Sequence, residues 1–225
     1  SCFEIAVLEM LSELYEVSGD ASVRDRLEAQ IDLLVQRMIN HEQGYGYIRA
    51  SEDWRPQDPL RVSYGHDIKL AWLLLKGADL LGRGNDPAVV EPAVAIADGV
   101  RRDGFDQRRG GVYEEGWPGQ PADDRQRVWW NQSEGMVSFF LLHQHTGDQR
   151  WRDAFERQAL YALNQQVDHR CGDWYNVISA RGRISFYKRQ DPYHHTRACL
   201  EIIHRLKPEA LADGAAQMET AHAPA

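Results

Sequence analysis

Apolar residues recur every three to four positions in seven stretches of the chain, which is the spacing of an α-helix that buries one face or more. No long run of alternating apolar and polar residues accompanies them, so the pattern predicts an all-α fold without a long strand. The seven predicted helices lie within residues 3–17, 23–38, 63–81, 87–100, 128–146, 150–167 and 193–206.

Short joins that contain Gly and Asp separate the two helices of each predicted pair. They read VSGDAS at 17–22, LGRGNDPA at 81–88 and HTGDQR at 145–150. Gly favours the left-handed conformation that ends a helix, and Asp caps the N-terminus of the next helix. The joins therefore predict three helical hairpins, followed by the first helix of a fourth.

Longer segments, rich in Gly and aromatic residues and predicted to form small β-hairpins, connect one helical pair to the next. His66, Trp130 and His194 stand where these segments enter a helix, and successive members of this set are 64 residues apart. A fixed spacing of this kind indicates a repeat. Repeated helical hairpins stack as an open solenoid or close into an (α/α) barrel, and the apolar runs LAWLLL and MVSFFLL favour the closed, doubly covered ring.

A ring of six hairpins requires twelve helices, so seven helices predict an incomplete (α/α)6 barrel. We expect this partial barrel to span residues 1–207, with residues 208–225 as a frayed or disordered tail. Because the chain starts at Ser1 without a Met, we expect it to be the C-terminal part of a longer protein.

Composition narrows the classes of partner and cofactor. A net charge of −8 argues against a nucleic-acid partner, and no apolar run approaches the roughly 20 residues that span a bilayer. The three cysteines, Cys2, Cys171 and Cys199, form no CxxC pair, which favours a reducing, cytoplasmic setting over a disulfide framework or a zinc site. No nucleotide-binding glycine motif and no HxH or HExxH pattern occurs, so we expect neither a cofactor nor a metal. A small-molecule sugar is the expected partner, with a homodimer as a candidate assembly.

Polar and aromatic residues occupy the first turns of the three helices that the repeat makes equivalent. In a barrel these helix starts converge at one mouth. Two imidazoles that face a shared pocket suit proton transfer beside a carbonyl, because one removes a proton and the other returns it. A lone His at a helix start is more often a helix cap, and a lone Trp there more often packs in the core. The 64-residue spacing that the three positions share instead favours a functional site. The predicted site contains His66 with Tyr64 and Lys69, Trp130 with Glu134, and His194 with Arg197.

The segments SYGHDIKLAWLL, VWWNQSEGMVSFFLLHQHTGDQRW and DPYHHTRACLEI resemble, in order and spacing, segments of the N-acylglucosamine 2-epimerase superfamily. That superfamily includes cellobiose 2-epimerases and aldose-ketose isomerases. The resemblance covers residues 3–206 and implies an (α/α)6 barrel that opens a sugar ring, removes the C2 proton to form a cis-enediolate, and reprotonates it at C2 or C1. It also implies that His66 and His194 are the acid/base pair and that Trp130 and Glu134 position the sugar.

Two positions depart from the pattern of that superfamily. Lys69 stands where the GHDIE motif has Glu, and Arg189 stands where a Trp commonly precedes the PYH histidine by five residues. We assign Lys69 and Arg189, together with Tyr64 and Arg197, to substrate binding. The positive charges of Lys69 and Arg189 suit an anionic group on the substrate. The leading hypothesis is a cofactor-independent sugar 2-epimerase or aldose-ketose isomerase.

Two other hypotheses stay open. One is a catalytically altered barrel that binds a carbohydrate without isomerase activity. The other is a glycoside hydrolase on the same architecture, which ranks last because it needs two facing carboxylic acids and only Glu134 is well placed.

Overall fold

The computed structural model describes residues 2–57, 61–186 and 193–206. These ranges contain the seven predicted α-helices: α1 Cys2–Ser18, α2 Ala21–Arg37, α3 Tyr64–Leu80, α4 Pro87–Asp103, α5 Trp129–Thr146, α6 Gln149–Tyr161 and α7 Tyr193–Leu206. The sixth differs from the prediction, because its last turn is a π-helical turn at Ala162–Gln166. The predicted tail, residues 208–225, lies outside the described residues.

The short joins are built from Gly and Asp, as the sequence predicted. Gly19 and Gly147 adopt the left-handed conformation, with φ of 61° and 67°. Asp20, Asp86 and Asp148 each precede a helix and accept hydrogen bonds from backbone N–H groups of its first turn. The three helical hairpins α1–α2, α3–α4 and α5–α6 are therefore confirmed.

The helices lie in two layers. Helices α1, α3, α5 and α7 form an inner row, in which each packs against the next, and α2, α4 and α6 cover the row from outside. Helix α3 packs between α1 and α5 and under α4, so every residue from Tyr64 to Ala78 except His66 is buried. The outer helices bury one face only. This is part of an (α/α) barrel, the fold that the sequence predicted.

None of the helices in the described ranges combines the length and the apolar composition needed to cross a membrane.

Short antiparallel strands shape the long segments between hairpins. Within the described ranges they are two or three residues long, namely β1 Ile39–Asn40, β2 Tyr45–Gly46, β3 Val62–Ser63, β4 Glu115–Gly116, β5 Arg127–Val128, β6 Val167–Asp168, β7 Asp173–Trp174, β8 Val177–Ile178 and β9 Ile184–Phe186. Strands β1–β2 and β6–β7 pair within one segment, whereas β3 pairs with β4 and β5 with β8 across successive segments. Because β3 and β5 run directly into α3 and α5, this pairing fixes the starts of two inner helices.

Candidate active site

The first turns of α3, α5 and α7 bring His66, Trp130 and His194 together. The ring centroid of Trp130 lies 4.9 Å from that of His66 and 5.5 Å from that of His194. The three residues are the third, second and second residues of their helices. The 64-residue repeat therefore places equivalent positions side by side, and both imidazoles contact the same indole ring.

His194 is held by a buried carboxylate. Its Nδ1 lies 2.5 Å from Oε1 of Glu134, whose side chain is fully buried. Arg197 donates to the same oxygen, and Nε1 of Trp72 donates to Oε2 at 2.7 Å. Arg and Trp side chains only donate and an ionised carboxylate only accepts, so Glu134 in its ionised form accepts from all three partners. Nδ1 of His194 therefore carries the proton in this pair, and Nε2 is left as the basic nitrogen.

His66 has a different environment. Its Nδ1 lies 2.8 Å from the hydroxyl of Ser63, a residue at the N-cap position of α3 whose side chain makes no capping bond to the backbone. Burial lowers the pKa of His66 to about 4, and the neighbouring charges of Lys69 and His194 act in the same direction. A group with this pKa is a neutral imidazole at neutral pH.

A chain of charged side chains links the four inner helices beside the histidines. Nζ of Lys69 lies 2.8 Å from Oε2 of Glu9 on α1, and Arg197 on α7 contacts both Glu9 and Glu134. The Lys69 ammonium and the Arg197 guanidinium also lie 5.4 Å and 4.6 Å from the ring centroid of Tyr193. Both cations are thus engaged in ion pairs within the protein.

Glu9 and Trp72 also contact the predicted site residues, Glu9 through Lys69 and Arg197 and Trp72 through Glu134, but the sequence did not identify them. Glu9 is 5% exposed and shares its helix face with the buried residues Leu8 and Ser12. A carboxylate on an apolar face is a signal that it has a buried partner, and the sequence does carry that signal. Trp72 carries none, because a Trp inside an apolar helix is read as packing.

One predicted site residue, Tyr64, lies apart from the other site residues, and another cannot be placed. Tyr64 is buried on another side of α3, with its ring against Gly104 and its hydroxyl 3.4 Å from the carbonyl oxygen of Gln120. Arg189 lies outside the described residues. Asp67 is buried and accepts a hydrogen bond from the Gly46 backbone at 3.1 Å, and burial raises its pKa well above the usual range. Asp67 therefore holds the β1–β2 hairpin against α3.

The two adjacent histidines of α7 both contact the ring of Trp129 but differ in their other partners. His194 meets Glu134, whereas the ring of His195 stacks on Trp174 with 5.4 Å between centroids and its Nε2 lies 3.9 Å from Asp173. Neighbouring side chains on a helix do not face each other, so the two imidazoles do not converge on one ligand.

Two cavities border the site. The one beside His66 and Asp67 has about 10 Å³ of free volume, which is the space of one water molecule. A cavity of about 520 Å³ lies between α1 and α7, and its lining includes Arg197, Tyr193 and Lys76. A cavity large enough for a small ligand therefore lies beside Arg197.

A cluster of three carboxylates lies further along the same helices, and a lysine is bound at its centre. Oxygens of Glu13, Glu16 and Glu201 lie within 4.8 Å of one another. Lys76 is buried, and its Nζ contacts Glu13 at 2.7 Å, Glu16 at 3.0 Å and also Glu201. Burial alone lowers the pKa of Lys76, but the hydrogen bonds to the carboxylates outweigh it and raise the pKa. The ammonium supplies the positive charge that this cluster needs.

Comparison with known families identifies the chain. The family model described as N-acylglucosamine 2-epimerase (GlcNAc 2-epimerase) matches residues 5–198. The chain belongs to the N-acylglucosamine 2-epimerase family. This membership confirms the resemblance carried by the three sequence segments around His66, Trp130 and His194.

The chain spans about half the length of the curated relatives that it matches in the N-acylglucosamine 2-epimerase family. Cellobiose 2-epimerase of Bacteroides fragilis is 28% identical over 208 residues, which are 88% of this chain and 51% of that protein. The structure of cellobiose 2-epimerase from Bacillus thermoamylovorans superposes with a TM-score of 0.81 at 29% identity and covers 90% of this chain and 52% of that one. A D-mannose isomerase superposes with a TM-score of 0.81 at 20% identity over 90% of this chain and 54% of its own, which shows the fold alone.

Proposed function

We propose that this chain carries the proton-transfer site of a sugar 2-epimerase or aldose-ketose isomerase. Membership of the N-acylglucosamine 2-epimerase family supports the reaction class. The observation that carries the proposal is that His66 and His194 contact one indole ring while His194 is bound to the buried carboxylate of Glu134. The substrate is an aldose in its open form, with Trp130 as the apolar surface for its carbon chain.

The proton is removed by His194. Its Nε2 takes the proton from C2, the C2–H electron pair forms the C1–C2 double bond, and the carbonyl electrons move to the C1 oxygen, which gives the cis-enediolate. Glu134 keeps the imidazole in the tautomer that exposes Nε2, and its charge lies beside the imidazolium that forms. Arg197 and Trp72 hold Glu134 in turn.

His66 acts as a neutral imidazole. With a pKa lowered to about 4, it donates a hydrogen bond to the C1 oxygen as charge develops there, instead of delivering a full proton. Two-base epimerisation needs a protonated histidine on the opposite face of C2. Because His66 holds little imidazolium at neutral pH, this site favours return of the proton by His194 to C1. The proton of the O2 hydroxyl passes to O1, the C2–O bond becomes the carbonyl, and the product is a ketose.

The test is incubation of the protein in deuterated water with mannose, glucose, cellobiose and N-acetylmannosamine, followed by NMR of the products. At least one sugar is expected to acquire deuterium, at C1 of a ketose product in the case of isomerisation and at C2 in the case of epimerisation. Absence of deuterium from every sugar would contradict the proposal.

A second candidate is a carbohydrate-binding barrel without isomerase activity. The observation that favours it is Lys69, which stands where the GHDIE motif has Glu and is one cause of the lowered pKa of His66. Calorimetric titration with the same sugars separates the two. Binding without deuterium incorporation supports the binding protein, and incorporation rules it out.

A further inference from the structure

Ser63 stands where β3 runs into α3, and its backbone is fixed by the neighbouring strand. Ser63 pairs with Glu115 of β4, and the backbone N–H of the next residue, Tyr64, donates to the carbonyl oxygen of Glu114 at 3.1 Å. The residue is buried, with 3% of its surface exposed. The Ser63 hydroxyl is therefore held at a defined place beside the first turn of α3.

Ser63 occupies the N-cap position of α3 but does not cap the helix. A serine at this position usually accepts a hydrogen bond from the backbone N–H of the second or third helical residue. Here the third residue is His66, and the Ser63 hydroxyl lies 2.8 Å from Nδ1 of its ring, without a bond to the helix backbone. Asp20, Asp86 and Asp148 do cap their helices. A local rule that is kept at three helix starts and broken at this one indicates a functional role for the side chain.

The direction of the hydrogen bond between Ser63 and His66 follows from burial. A serine hydroxyl can donate or accept. Within the described ranges, the Ser63 hydroxyl has no hydrogen-bond partner apart from the His66 ring. If Nδ1 carried a proton and donated to the oxygen, the hydroxyl hydrogen would be buried without an acceptor, which is costly. The favoured arrangement has the Ser63 hydroxyl donating to an unprotonated Nδ1.

This arrangement places the proton of His66 on the other ring nitrogen. Burial lowers the pKa of His66 to about 4, so the ring is neutral at neutral pH and carries a single N–H group. When Nδ1 accepts, that group is Nε2–H. His194 has the opposite tautomer, because its Nδ1 donates to Glu134 at 2.5 Å and its Nε2 is left as the basic nitrogen.

We propose that Ser63 is a positioning residue that holds His66 in the tautomer with the proton on Nε2, so that the two histidines present opposite groups to the substrate. This inference rests on the proposed function, in which His66 donates a hydrogen bond to the C1 oxygen and Nε2 of His194 takes the C2 proton. A lone pair on Nε2 of His66 would instead repel the charge that develops on that oxygen. Ser63 acts only through His66.

Nitrogen NMR of the protein with ¹⁵N-labelled histidine tests the tautomers without any sugar. At neutral pH, we expect His66 to show an unprotonated Nδ1 and a protonated Nε2, and His194 to show the reverse. His66→Gln and His194→Gln assign the resonances. Ser63→Ala is expected to shift the Nδ1 resonance of His66, because it removes the donor, and to leave the resonances of His194 in place. A protonated Nδ1 on His66, or an unchanged Nδ1 resonance in Ser63→Ala, would overturn the proposal.

The rate of deuterium incorporation into the sugar measures the consequence for the reaction. Ser63→Ala is expected to lower this rate about tenfold with its helical content retained, because one hydrogen bond to His66 is lost. Ser63→Thr keeps the hydroxyl and is expected to keep most of the rate. Ser12→Ala is the matched control, since it removes another buried serine hydroxyl, which donates to the Leu8 carbonyl oxygen at 2.8 Å.

We expect Ser12→Ala to leave both the rate and the His66 resonances unchanged. A full rate in Ser63→Ala, or an equal loss in Ser12→Ala, contradicts a positioning role for Ser63. If no sugar acquires deuterium with the unchanged protein, the proposed function fails, and the nitrogen resonances alone then decide whether Ser63 sets the tautomer of His66.

Discussion

At the scale of single residues, the surroundings of His66 set its pKa, and burial is the largest cause. Lys69 lies in the next turn of α3 and contributes to the lowered pKa of His66, after burial. Glu9 pairs with Lys69 at 2.8 Å and so offsets part of that effect. In the proposed reaction we therefore expect Lys69 to act through the pKa of His66 and not by contact with the sugar.

Replacement of Lys69 by Gln is expected to raise the pKa of His66 toward, but not up to, its usual value of about 6.5, because burial remains. NMR titration of the imidazole resonances measures this pKa. Lys69→Arg keeps the charge and is expected to leave the pKa of His66 near that of the unchanged protein. If the pKa of His66 in Lys69→Gln equals that in the unchanged protein, Lys69 does not lower the pKa of His66.

Helical geometry explains which predicted site residues lie where the sequence analysis expected them. Each residue of an α-helix turns by about 100°, so Tyr64 lies about 200° from His66 and packs on another side of α3. His66 and Lys69 are three residues apart and share a face, as predicted. The partners of Glu9 could not be named from the sequence, because Lys69 and Arg197 are 60 and 188 residues away and no local pattern connects them to Glu9.

At the scale of elements, the starts of α3 and α5 touch at a glycine. A Cβ atom added at Gly65 would stand 2.5 Å from the ring of Trp130 and would overlap the side chain of Asn131. Asn131 is fixed by hydrogen bonds to Glu114 at 2.8 Å and to the Tyr113 carbonyl at 3.3 Å. The glycine of the GHDI segment is therefore the contact that allows His66 to meet Trp130.

Gly65→Ala is expected to separate these helix starts, with a loss of about 1–3 kcal/mol in the free energy of unfolding and a slower deuterium exchange of the sugar. Chemical denaturation and NMR measure the two effects. Gly77→Ala on the same helix is the control, because its Cβ meets the flexible end of Ile31 at 2.9 Å and gains helix propensity. If Gly65→Ala and Gly77→Ala change the free energy of unfolding and the exchange rate equally, Gly65 has no special role in the contact between His66 and Trp130.

The helices and their caps could be predicted because their signals are local. Apolar periodicity and the Asp residues at 20, 86 and 148 lie within the elements that they define. The pairing of β5 with β8 joins residues about 50 positions apart through two-residue strands, which leave almost no pattern in a sequence. The π-helical turn after Tyr161 likewise has no signal that the apolar spacing reveals.

At the scale of the whole molecule, the candidate site is assembled from all four inner helices. Helix α1 contributes Glu9, α3 contributes His66, α5 contributes Glu134 and α7 contributes His194. The repeat explains why the sequence located three of the four, since equivalent positions of equivalent hairpins face one another in a ring. The predicted homodimer and the predicted cytoplasmic setting stay predictions.

The most direct measurement is the rate of deuterium incorporation into the sugar by His194→Gln, with His195→Gln as the control. His195 is the neighbouring imidazole but faces Asp173 and Trp174. We predict that His194→Gln lowers the rate by about 10²- to 10⁴-fold with its helical content retained, and that His195→Gln keeps most of the rate. A folded His194→Gln variant that exchanges at the original rate would contradict the assignment of His194 as the base.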